Sequence, residues 1–135
     1  MQAQPSNVNR AIIKCTRDSV CKEFLDLLKS LHGLSESEIL LASKFLEKRI
    51  ELKEKITDDE LIDEYLQSSK VRSSIKEAAN IKNMALFQNM MSSLRRKGFF
   101  VDGDKIAKPF IPNINKDSKF FKIEFILKID DGQSS

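Results

Sequence analysis

Histidine, cysteine, proline and glycine are scarce in these 135 residues, at one, two, three and four copies. The single histidine, His32, and two thiols, Cys15 and Cys21, with five residues between them, fit no zinc-ligand spacing. No Ser-His or Cys-His nucleophile set is discernible. Three of the four glycines mark turns or helix ends, which leaves no glycine loop to cradle a phosphate. No apolar run approaches the roughly 18 residues of a membrane span. The opening "MQAQPSNVNR" carries no apolar core of a secretory signal. These absences predict a chain that is not an enzyme, uses no cofactor or metal, and works in the cytoplasm away from membranes. Both thiols are then expected to be reduced and buried.

The chain holds 41% hydrophobic and 32% charged residues, enough for one domain around one core. Its net charge of +3 is unevenly spread. Residues 35–69 carry five basic and ten acidic side chains, whereas 70–122 carry twelve basic and four acidic, a net +8. Such asymmetry suits a nucleic-acid face, and equally a face for an acidic protein.

Residues 1–9 are polar and read as a flexible arm, and 10–68 as a helical extension that contacts a partner or a second copy. "AIIKC" (11–15) is strand-like. Val20, Phe24, Leu27, Leu28 and Leu31 fall on one helical stripe that Gly33 ends. Ser35 with Glu38 forms a capping box before the stripe Ile39, Ala42, Phe45, Leu46, Leu52, and Thr57 with Glu60 a second box before a short acidic helix with Leu61, Ile62, Tyr65 and Leu66 inward. Carboxylates at 58–64 sit where a helix dipole favours them, so they argue for no hydrolytic site. In 113–135, the alternation Phe121, Ile123, Phe125, Leu127, Ile129 predicts a strand, with 11–15 as its candidate partner.

Residues 69–112 carry the functional expectation. "SKVRSSIKEAAN" reads as a short helix, Ile81 as a buried pivot, and Asn83 as the cap of a second helix, "MALFQNMMSSLRRK", that Gly98 stops. That helix is expected to bury Phe87, Met90, Met91 and Leu94, with Met84 also packed. "FFVDGDKIAK" follows as a hairpin with a two-residue Asp-Gly loop, anchored by Phe99, Phe100 and Phe110. Two short helices, a tight turn and a hairpin make a winged helix-turn-helix. The fold class predicted is therefore α+β and mainly helical, with an N-terminal helical extension and a small antiparallel β wing. In such a unit the second helix enters the major groove and the wing follows the backbone. Lys82, Asn83, Gln88, Asn89 and Ser92 would face base edges, and Arg95, Arg96, Lys97, Lys105 and Lys108 would contact phosphates of double-stranded DNA.

The stretch "VRSSIKEAANIKNMALFQNMMSSLRRKGFFVDGDKIAKPFIP" resembles winged-helix proteins, especially small ones encoded by tailed bacteriophages of gut bacteria. The likeness rests on an "xRxxIxxxxNI" helix, a helix ending in "LRRKG", and a wing reaching "PFIP". It implies either a regulator of transcription or replication in a bacterial host, or a virion component of the neck or tail whose partners are neighbouring assembly proteins. A homo-oligomer is expected in both cases. The small, neutral outward face of the second helix, with its serines, favours the second alternative.

Overall fold

A computed structural model describes residues 9–131. Residues 1–8 of the arm expected at 1–9, and the last residues of the polar tail, 132–135, lie outside the described residues. The described residues are mainly helical, with five α-helices and one two-stranded antiparallel sheet among them.

The first helix, α1, spans Val20–His32 and buries Cys21, Phe24, Leu25 and Leu28. Its inward stripe is turned from the expected one: Leu27 and Leu31 are exposed, because the core lies on the side of Leu25 and Cys21. Gly33 ends it at φ 70°, and the N–H groups of Gly33 and Leu34 both close on the Lys29 carbonyl. The second helix, α2, Glu36–Lys53, opens with both halves of the Ser35–Glu38 capping box formed. It touches α1 on one side and three later helices on the other. That is why Ile39, Leu41, Ala42, Phe45 and Leu46 are all buried, more of its circumference than one stripe provides. Ser43, buried with them, donates to the Leu40 carbonyl at 2.8 Å.

The third helix, α3, spans Asp59–Gln67. Asp58, not Thr57, caps it, its carboxylate accepting from the Glu60 N–H at 3.0 Å. Ile62 and Leu66 are buried, while Leu61 and Tyr65, expected inward, are exposed. The fourth helix, α4, Ser69–Ala78, follows without a loop because Ser68 both closes α3 on Tyr65 and caps Val71. Asn80, left-handed at φ 60°, turns the chain; its short polar side chain tolerates that conformation. Ile81 then drops into the core. The fifth helix, α5, spans Met84–Arg96 and buries Phe87, Met91 and Leu94, with Met90 half-buried.

Gly98 stops α5 at φ 87°. Strands β1 (Phe100–Val101) and β2 (Lys105–Ile106) pair antiparallel, Phe100 opposite Ile106 and Val101 opposite Lys105. The loop holds three residues rather than two, since Asp102, Gly103 and Asp104 all adopt positive φ. Phe99, Phe100 and Phe110 are buried as expected. Phe100 packs edge-on against Phe45 at 5.1 Å and Phe99 against Phe110 at 5.2 Å. His32 stacks tilted on Phe110 at 4.5 Å, tying the end of α1 to the segment after the hairpin.

Two expected strands do not form. Residues 11–15 are irregular and exposed, and 113–131 contain no strand. Period-two patterning gives a strand its faces, but a ladder needs a second backbone, and 11–15 does not supply it. Instead, Arg17 donates to the carbonyls of Asn115 (2.8 Å) and Ser118, and Phe121 packs on Phe24 at 5.3 Å. Beyond that contact Phe125, Ile126, Leu127 and Ile129 are exposed.

Candidate nucleic-acid interface

Asn83 opens α5 by accepting the Leu86 N–H at 2.7 Å, so the helix begins one residue past a turn held by buried Ile81. Burial of Phe87, Met91 and Leu94 on one side leaves Lys82, Asn83, Gln88 and Asn89 exposed on the other, and Ser92 half-buried. Apolar groups share this surface. Met84, expected in the core, is 57% exposed, and Leu86 is exposed beside it. The Gln88 amide lies 3.6 Å from the Met84 sulfur.

The three cations ending α5 have different surroundings. Arg95 grips the hairpin: its Nε and Nη2 donate to the two carboxylate oxygens of Asp104 at 2.6 and 2.8 Å. Arg72 of α4 donates to the same carboxylate at 2.9 Å. Asp104 thus joins α4, α5 and the hairpin loop at one point. The hydrogen bond from Arg95, with help from Arg72 and against the effect of burial, holds its carboxyl down at about 2. A bidentate guanidinium–carboxylate pair also fixes geometry, so the end of α5 is locked against the loop at 102–104.

Lys97 points the other way. Its ammonium donates to Glu38 Oε1 at 2.6 Å, while Ser93 donates to Glu38 Oε2 and the Ser35 N–H to Oε1 at 2.9 Å. Burial disfavours the charged carboxylate here, yet the hydrogen bonds from Lys97, Ser93 and the Ser35 backbone outweigh it and hold Glu38 at about 2. The capping box of α2 is therefore also the clamp on the end of α5. Arg96, by contrast, is exposed and makes no hydrogen bond or ion pair among the described residues.

Lys82, Lys105 and Lys108 are likewise exposed without such partners among the described residues. Lys105 lies in the electrostatic field of Asp63, whose carboxyl burial pushes up. Of the ten candidate contact residues, the fold fixes Arg95 and Lys97 internally, half-buries Ser92, and leaves seven outward. The capping box signalled Glu38 as a helix start; its partners at 93 and 97, more than fifty residues away, had no signal in the sequence.

The acidic cluster behaves as helix-end charge. Asp58 caps α3, and Asp59 accepts from Lys53 at 2.7 Å and Arg49 at 3.4 Å. Of the two free thiols only Cys21 is buried; Cys15 is exposed, against expectation, because the segment carrying it joins no sheet. Burial, with Glu47 nearby, raises the Cys21 thiol to about 12. Among the described residues no three histidine, cysteine or carboxylate side chains group as a metal site, and no helix is long and apolar enough to cross a membrane. No protein-family model matches the chain, and neither a curated protein nor a solved structure does.

Proposed function

We propose that this chain is a non-enzymatic winged helix-turn-helix protein that binds duplex DNA with α5 and the β1–β2 hairpin. The observation that carries the reading is the placement of four exposed cations, none of them in an ion pair among the described residues: Arg96 ends α5 and Lys105 lies in β2, the two elements that Asp104 ties together, while Lys82 lies in the turn before α5 and Lys108 just after the hairpin. Cations without internal partners can exchange condensed counterions for phosphates. Gln88 and Asn89 present amides suited to adenine edges. Arg95 and Lys97 support this surface from within rather than touching phosphate.

The reading is tested by fluorescence anisotropy of a labelled duplex titrated at several salt concentrations. Four phosphate contacts give a slope of log K against log salt of roughly −3 to −4. Absence of binding at low salt, or an affinity that ignores salt, rejects it.

A second reading, a structural component of an assembled particle such as a phage neck or tail, is favoured by one observation. Met84 and Leu86 on α5, and Phe125, Ile126, Leu127 and Ile129 near the C-terminal end, stand exposed, which suits protein contacts better than solvent. Negative-stain imaging distinguishes the two, since rings or particle-bound copies support assembly.

A further inference from the structure

Residues 119–131 form a segment with the composition of a strand and, among the described residues, no strand beside it. No backbone–backbone hydrogen bond joins residues 119–129 to any other described residue. Its burial alternates where it leaves the core, Phe121 and Ile123 half-buried and Lys122 and Glu124 exposed, so the odd-numbered side chains share one face. That face continues as Phe125, Leu127 and Ile129, all exposed. Leu27 and Leu31, exposed on the stripe of α1 that carries Phe24, extend the apolar surface beside the Phe24–Phe121 contact.

The even-numbered face reads Lys122, Glu124, Ile126, Lys128, Asp130, a charge order that is complementary to its own reverse. We propose that this segment pairs antiparallel with the same segment of a second copy of the chain, about a twofold axis at Ile126. In that register Glu124 faces the partner's Lys128, Lys128 faces the partner's Glu124, and Lys122 faces the partner's Asp130, while the odd faces merge into one apolar strip. Opposite charges directly across an antiparallel pair are stabilising and like charges destabilising. A slip of two residues one way sets Lys122 against the partner's Lys128; a slip the other way sets Glu124 against the partner's Asp130. A slip of one residue opposes the apolar face to the charged one, and parallel pairing in register aligns like with like. The register follows from the sequence, and the availability of the backbone from the structure.

The pairing requires no DNA and is measured without it, so its failure leaves the DNA-binding reading standing, and the reverse holds. Sedimentation of the full chain up to about 100 µM, where an affinity in the micromolar range is visible, should show a closed dimer. Glu124→Lys places lysine against lysine at both symmetry-related sites and should weaken the dimer about tenfold, equivalent to about 1.4 kcal/mol. The double variant Glu124→Lys with Lys128→Glu restores the opposition and should recover wild-type association. Circular dichroism should show all three chains equally folded, because both side chains are exposed and unpaired within the described residues. A monomer at the highest concentration, a larger open assembly, a dimer indifferent to Glu124→Lys, or failure of the double variant to restore it would each overturn the proposal.

Discussion

Asp104 ties α4, α5 and the hairpin loop together through Arg72 and Arg95. It has a positive φ, which costs an L-residue energy, and its carboxylate offsets this by accepting from two arginines on two helices. Asp104→Asn should lower stability by about 1–2 kcal/mol in urea unfolding, less than a fully buried pair would lose because the Arg95 side chain is 39% exposed. Asp102→Asn, at the neighbouring exposed position, should cost a few tenths at most. The two cysteines provide a second check. With its thiol at about 12 and buried, Cys21 should resist alkylation at pH 8 while Cys15 reacts, giving one label per native chain and two after denaturation. The place of the hairpin turn was legible because turn chemistry is local, but its length was not: the loop holds Asp102, Gly103 and Asp104 rather than Asp-Gly alone. The arginine partners were not, since Arg72 lies 32 residues from Asp104 and no local pattern specifies a contact across that separation. The exposure of Cys15 was missed for a related reason: its burial was inferred from residue type, and type does not reveal whether a segment docks.

Helices were read more faithfully than strands, and their caps show why. Ser35, Gly33, Asn83 and Gly98 each act on backbone groups within a few residues, so their roles follow from spacing. Asn83→Ala removes the side-chain acceptor for Leu86 N–H and should cost about 1 kcal/mol, measured by thermal or urea unfolding. Faces were harder. On α1 the stripe drawn through Leu27 and Leu31 was offset from the buried one through Cys21 and Leu25, because adjacent apolar residues allow two helical faces and only the position of α2 chooses between them. The strand expected at 121–129 failed for a different reason. Its alternation is present, and even its burial alternates at the start, but a strand is completed by another backbone. Among the described residues no such backbone lies beside it, and the proposed pairing with a second copy would supply one.

Across the whole molecule, Glu38 joins the acidic stretch to the basic one through Lys97 and Ser93, and Asp104 ties the basic stretch together through Arg72 and Arg95. Glu38 and Asp104 both titrate lower folded than unfolded, so their stabilisation is fully present above about pH 5 and is lost as the pH falls toward about 2. Stability should therefore decline through that window. Glu38→Gln, which removes a shift from 4.5 to about 2 worth about 3 kcal/mol, should make the decline shallower and the protein less stable at neutral pH. The charge imbalance itself was legible from composition, and the net +8 of residues 70–122 located the basic half. What composition leaves open is which cations face outward, because pairing to distant carboxylates decides it: Arg95 and Lys97 are committed internally, whereas Arg96 between them is not. The most direct measurement is therefore the salt dependence of duplex binding for the wild type, Arg96→Ala and Lys97→Ala, read under conditions where all three are folded. The account predicts that Arg96→Ala makes the slope of log K against log salt about one unit shallower while Lys97→Ala leaves the slope unchanged and lowers only stability. Equal slopes for wild type and Arg96→Ala, or a loss of slope in Lys97→Ala alone, would contradict it.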